Sequence, residues 1–186
     1  MKQRVGIIFG GNSVEHEISI LSAIQASHAI DKDKYDVYHI YLTKDGSFWV
    51  GDNFSDLKTF KSEKIKHYEV TFFSKNGKAY LKGIKYLPCK YKKPIDVILP
   101  IVHGKNVEDG SLAGLFTILN VPYAASTILP SAIIQNKYIT KVFLGVENIP
   151  LIEYKYLSYV DYIKNKEQYL KDIETLGYPL IIKPVS

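Results

Sequence analysis

Val5-Gly6-Ile7-Ile8-Phe9-Gly10-Gly11-Asn12-Ser13-Val14-Glu15-His16-Glu17-Ile18-Ser19 is the stretch that decides how this chain folds. Residues 5–9 are apolar and rich in branched side chains, the composition of a strand buried on both faces. Gly10 and Gly11 then permit a tight turn through positive φ and leave room for a ligand to approach the backbone. Asn12 suits an N-cap, and Glu15, three residues on, stands where a capping-box acid belongs. Ile20, Ala23, Ile24 and Ser27 follow at helical spacing and define one face. Strand, glycine turn and helix thus aim a helix N-terminus above the sheet, where backbone N–H groups favour a carboxylate or phosphate. The G-x-G-x-x-G spacing is incomplete, and Glu17 adds a second acid that argues against a simple phosphate cradle. From this stretch alone, a unit whose Glu15 merely caps the helix explains as much as a binding site does.

Working outward, residues 35–42 alternate as a second strand and complete a βαβ unit, which predicts a parallel sheet with a right-handed crossover. Residues 48–50 form a short strand. Extended pieces at 67–73 and 79–86 flank Lys75-Asn76-Gly77-Lys78, an Asn-Gly hairpin signal, and predict a β-rich insertion on the sheet edge. Residues 95–102 return to a buried parallel strand that ends in the polar loop 103–111. Leu112, Leu115, Phe116 and Leu119 carry helical spacing, and 121–125 is a short strand. Ser131 is predicted to cap a helix from 132 to about 145. After Asn148-Ile149-Pro150 the pattern predicts a strand at 151–157, a helix at 164–176 and a strand at 178–184. That tail is too small for its own core and is expected to be the opening of a second domain.

A chain of 186 residues can bury about 70% of its unfolded surface, so no disulfide or metal staple is required. Its 46% hydrophobic and 23% charged content fits a globular protein rather than a disordered one. Cys89 is the only cysteine, which excludes a disulfide framework and a cysteine zinc site. The N-terminus is strand-like rather than a signal peptide, no apolar run approaches the ~20 residues a membrane helix needs, and the cytoplasm is expected. The net charge of +5 comes from dispersed lysines, so nucleic acid and membrane are not expected partners, whereas a small anionic substrate suits it.

Ligands of such sheets bind outside the carboxyl ends of the strands. The loops 10–15 and 103–111 leave two such ends with acids and glycines that a turn does not need. His103 reads equally as a satisfied structural histidine and as a site residue. Glu108 and Asp109 precede a helix, and capping with its dipole accounts for them. Lys183 ends the apolar run Leu180-Ile181-Ile182, where a buried ammonium requires an anion such as a phosphate oxygen. A pleat pointing it outward would leave it solvated. Lys137 stays open between a helix-surface lysine and a ligand.

With these residues in place, the chain resembles the N-terminal part of the D-alanine–D-alanine ligase family of the ATP-grasp superfamily. The matching motifs are Gly10 through Ser19, His103-Gly104-Lys105-Asn106-Val107-Glu108-Asp109-Gly110, Ser131 through Lys141, and Gly177-Tyr178-Pro179-Leu180-Ile181-Ile182-Lys183-Pro184, in family order and spacing. The resemblance implies a Rossmann-like parallel α/β sheet (the pre-ATP-grasp domain) with a β-rich edge insertion over residues 1–127. Residues 128–186 would supply a linking helix and the beginning of an ATP-grasp domain.

It also implies that ATP phosphorylates the carboxylate of one D-alanine and that the amine of a second attacks the acyl phosphate, giving a dipeptide for peptidoglycan synthesis. Carried across, Glu15 matches the catalytic, substrate-binding acid that holds the ammonium of the first D-alanine, in a network with a serine and a tyrosine. His103 matches the histidine beside that substrate, and Lys137 and Lys183 match lysines that contact the ATP phosphates. Magnesium is the implied metal, with its ligands, the glycine- and serine-rich loop and the network tyrosine expected beyond Ser186. The isolated chain is therefore expected to be inactive, and the whole protein a homodimer. Val107 stands where the family usually has glycine, and Asn136 where it usually has aspartate. A sibling ligase making D-alanyl-D-serine or D-alanyl-D-lactate, and a non-catalytic ligand- or partner-binding module, are the alternative readings.

Overall fold

The computed structural model describes residues 2–62 and 64–186. Strands β1 (Gln3–Gly10), β2 (Tyr35–Leu42), β3 (Phe48–Val50), β4 (Tyr68–Lys75), β5 (Lys78–Gly83) and β6 (Val97–Val102) form one sheet in the order β5-β4-β3-β2-β1-β6. β1 lies between β2 and β6 and runs parallel to both, which explains its continuous apolar run. Its side chains alternate between two cores. Ile7 and Phe9 pack with Ile20 and Ala23 of α1 (His16–Ala29), while Ile8 packs with Ile40, Ile98 and Phe116, the last on α3 (Ser111–Ile118). Each such fully buried side chain contributes about 1.5–3 kcal/mol relative to exposure.

The insertion continues the same sheet: β2–β3, β3–β4 and β4–β5 are all antiparallel pairs. Asn76 and Gly77 turn the last of these at φ 52° and 70°, the two positive values a tight hairpin turn requires. A short helix α2 (Leu57–Phe60) and a 3-10 turn at Cys89–Tyr91 in this region carried no sequence expectation. The hydroxyl of Tyr91 donates to Asp52 Oδ1 at 2.8 Å and ties that turn down.

Several expected elements form differently. Residues 121–125 give only a single parallel bridge, Ile98 with Tyr123. The helix expected from 132 to 145 is two, α4 (Ile128–Gln135) and α5 (Lys137–Val146), so Ser131 lies inside a helix rather than capping one. Pro130 is tolerated because it falls in the first turn of α4. Asn136 leaves helical geometry at ψ 103° and its side chain accepts the Ile139 N–H at 2.9 Å, so its own cap starts α5. A short helix α6 (Tyr159–Lys164) carried no sequence expectation, and the helix expected at 164–176 forms as α7 (Lys166–Glu174).

The chain divides into two compact units, Met1–Gln135 and Asn136–Ser186. In the second, α5, α6 and α7 bury no residue, and the strands expected at 151–157 and 178–184 are absent from the described residues. An extended segment becomes a strand only where a neighbour supplies ladder partners, and here none is paired with either segment.

Candidate active site

The register of the central strands brings two polar loops together. Gly10 of β1 pairs with Val102 of β6, so the chain leaves the ladder for residues 11–15 and 103–111 at adjacent positions. Gly10 and Gly11 both take φ 94°, and a Cβ on Gly10 would lie 2.3 Å from the Leu42 carbonyl oxygen. Only glycine fits there. The Asn106 amide donates to the Asn12 carbonyl at 3.3 Å and links the loops directly. Val107 is buried against Gly11; the positive φ values of its loop fall on Gly104, Asn106 and Gly110, so the valine is accommodated without strain.

Glu15 is the N-cap residue of α1, but its side chain makes no capping hydrogen bond and is exposed, so the expected capping box with Asn12 is not formed. Instead the first turn of α1 is organised by Ser13, whose Oγ accepts the Glu15 N–H at 3.2 Å. The Glu15 carboxylate faces the second loop: a Cβ built on Gly104 would lie 2.8 Å from its Oε2. His103 adjoins that glycine. Its Nε2 is 3.3 Å from Ser22 Oγ on α1, and Ser22 lies seven residues beyond Glu15, on the same helix face. Its Nδ1 is 3.8 Å from Glu108 Oε1. Glu15 and His103 are thus brought together.

Two acids of the loop serve the loop itself. Glu108 Oε2 accepts the Gly104 N–H at 2.6 Å, spanning the turn rather than capping α3. Asp109 accepts the N–H groups of Asn106 and Ser111 and the Ser111 hydroxyl. Burial alone would raise its pKa, but these hydrogen bonds outweigh it and hold the carboxyl below its ordinary value. Glu17, the second acid of the opening motif, turns to Lys44 at 2.8 Å, and the Lys44 ammonium lowers its pKa.

Beneath the glycine turn lie two residues that the sequence reading passed over. His16 and Ser19 are buried, with His16 Nδ1 2.6 Å from the Gly11 carbonyl and Ser19 Oγ accepting the Gly10 N–H at 2.7 Å. Their signal was present: polar residues three apart on the apolar face that carries Ala23.

The two lysines belong to the second unit. Lys137 opens α5, and its backbone N–H donates to the Val185 carbonyl at 2.8 Å, joining its segment to the one that carries Lys183. Of the two orientations the sequence left open for Lys183, the outward, solvated one is observed. Ile181 and Ile182 are 81% and 92% exposed and Lys183 is exposed, because no ladder organises the segment into an inward and an outward face.

Two cavities flank the 103–111 loop. One of about 300 Å³ is lined by Asn12, Thr43, Lys44, Asn106 and Val107, and one of about 240 Å³ by Val102, Glu108, Phe116, Tyr123 and Ser131 among others. Glu15 and His103 line neither of these two; Glu15 is exposed and His103 half-buried, on an open shelf at the strand tips. The Glu15 carboxylate gives the shelf negative charge, and its chemistry suits a cationic group such as an ammonium.

A family model described as D-ala D-ala ligase N-terminus matches residues 4–126. The D-alanine–D-alanine ligase of Thermosipho melanesiensis is 37% identical over 186 residues, which is 97% of this chain and 48% of that protein. The structure of the D-alanine–D-alanine ligase from Coxiella burnetii superposes with a TM-score of 0.77 at 27% identity, covering 92% of this chain and 49% of that one. The VanG D-Ala:D-Ser ligase from Enterococcus faecalis gives 0.72 at 28% identity, covering 100% and 52%. The chain spans about half the length of the curated relatives it matches.

Proposed function

The chain belongs to the D-alanine–D-alanine ligase family, matching its N-terminal part, and from that premise we propose that it supplies the first D-alanine site of an ATP-dependent ligase that makes D-alanyl-D-alanine. One observation carries the reading: the Glu15 carboxylate and the His103 loop meet at the carboxyl ends of adjacent parallel strands.

In this reading Glu15 holds the ammonium of the first D-alanine and His103 flanks it, so the substrate carboxylate is fixed for attack on ATP. The carboxylate oxygen bonds to the γ-phosphorus as the bond to ADP breaks. The neutral amine of the second D-alanine then attacks the acyl carbon, phosphate leaves, and the amine gives up a proton. Holding reactants in line supplies ~7–11 kcal/mol of barrier reduction, which is the part a rigid shelf performs. Lys137 and Lys183, joined through the bond between Lys137 N and Val185 O, would offset negative charge on the phosphates.

The residues present do not fit a magnesium site: among those described, no three His, Cys, Asp or Glu side chains gather as a ligand set. The reading assigns the metal ligands to the part of the relatives' length that this chain does not span. The domain division follows the same reading, with 1–127 as the pre-ATP-grasp domain and 128–186 as the link to the ATP-grasp domain. It further takes the intact ligase to be a cytoplasmic homodimer whose product feeds peptidoglycan synthesis. Among the described residues no helix is long and apolar enough to cross a membrane.

The test is ADP release and dipeptide formation by the full-length protein with D-alanine and MgATP, with D-serine and D-lactate offered as competing acceptors. D-Alanine-dependent ADP release with D-alanyl-D-alanine as the main product is expected. A preference for another acceptor would shift the reading to a sibling ligase, and ADP release indifferent to D-alanine would overturn it.

A further inference from the structure

We infer that His16 and Ser19 are positioning residues for the first D-alanine site, fixing where Glu15 stands relative to the His103 loop. The inference rests on the proposed function and deepens it. Both side chains lie on the sheet-facing side of α1, 3% and 0% exposed, beneath the turn rather than on the shelf. Ser19 takes the Gly10 N–H and donates to the carbonyl of Ile101 on β6, two residues before His103. His16 Nδ1 meets the Gly11 carbonyl, which also accepts the Ser13 N–H, and His16 Nε2 is 2.9 Å from Tyr41 Oη on β2.

A carbonyl only accepts, so Nδ1 carries the proton and Nε2 accepts from the tyrosine. The Tyr41 ring is in turn held among Phe9, Trp49, Phe54 and Phe60. One helix turn therefore clasps β6, the glycine turn and β2 at once. Glu15 directly precedes His16, and its carbonyl receives the Ser19 N–H at 2.9 Å. The backbone that aims Glu15 toward Gly104 is held from below by these two side chains. A residue that only filled a core would lower stability and leave the substrate dependence of the folded protein unchanged.

Steady-state kinetics of the full-length ligase separate the two. His16→Ala and Ser19→Ala are expected to raise the half-saturating D-alanine concentration by roughly ten- to a hundredfold, the scale of a small misplacement, and to leave that for ATP unchanged. His16→Asn, whose amide nitrogen can reach the Gly11 carbonyl in place of Nδ1, is expected to recover most of the loss. Equal behaviour of His16→Asn and His16→Ala, or equal shifts for D-alanine and ATP, would overturn the inference. Tyr41→Phe, which retains the ring and removes only the hydroxyl that meets Nε2, is expected to show a smaller shift of the same kind and serves if His16→Ala does not fold.

Amide hydrogen exchange reads the clasp without turnover. His16→Ala is expected to speed exchange at residues 10–19 and 103–111 and not in β4–β5. Unchanged exchange in the two loops would sink the clasp even in an active ligase. An inactive wild type with the expected exchange pattern would instead count against the proposed function alone.

Discussion

At the scale of single residues, Glu15 shows how a geometry separates two readings that composition leaves equal. A capping glutamate and a substrate-binding glutamate occupy the same position in a strand-turn-helix, and spacing cannot tell them apart. Here the side chain makes no cap and faces Gly104. Under the proposed function, Glu15→Gln in the full-length protein is expected to lower kcat/KM for D-alanine by roughly ten- to a hundredfold, the loss of one charge-assisted hydrogen bond. Its thermal midpoint should stay within the range of an ordinary surface substitution, and a large drop in melting temperature would restore the capping role. His39 offers a prediction in pH. Burial, aided by the charges of Lys32 and His28, pushes its pKa down to about 4, and its Nε2 sits 2.7 Å from Ser27 Oγ on α1. The unfolded chain binds a proton near pH 6.5 that the folded one refuses, so stability is full above that value and falls as pH drops toward 4. The loss reaches up to about 3 kcal/mol. Urea unfolding of the wild type and of His39→Gln between pH 4 and 7 checks this: the two curves should converge on acidification, and parallel curves would refute it.

Elements were legible where their signal is local. The alternation of β2, the Asn-Gly hairpin and the spacing of α1 and α3 all describe neighbours in sequence, and all four form as read. The two strand failures share one cause, a dependence on partners that periodicity does not contain, whereas the broken helix is a local cap that was missed. Residues 151–157 and 178–184 have strand-like composition but no ladder, and the apolar run through 132–145 hides an asparagine that caps its own helix. The glycine turn gives the test at this scale. Gly10→Ala forces a side chain into positive φ and against the Leu42 carbonyl, and should cost roughly 2–5 kcal/mol. Gly46→Ala meets the same backbone angle, φ 91°, with open space around it, and should cost only about 1–2 kcal/mol. Denaturant midpoints of the two variants compare strain alone with strain plus collision, and equal losses would show that the close approach at Gly10 contributes nothing.

For the molecule as a whole, the first unit presents a finished sheet with an open acidic shelf, and the second presents helices that bury nothing by themselves. These 186 residues on their own are expected to release no ADP from MgATP and D-alanine. They gather no metal-ligand set among the described residues, and Glu15 and His103 stand outside both cavities. A coupled assay finding turnover at the ~1–1000 s⁻¹ of ordinary enzymes would contradict that. The family and the six strands from β1 to β6 were legible in the sequence alone, because motifs, turns and periodicities are properties of short stretches that each residue shares with its neighbours. The meeting of Glu15 with the His103 loop, the clasp of His16 and Ser19 beneath it, and the exposure of Lys183 were decided by tertiary structure. Each depends on which strands pair and in what register, and pairing joins residues far apart in the chain through backbone hydrogen bonds that carry no trace of side-chain identity.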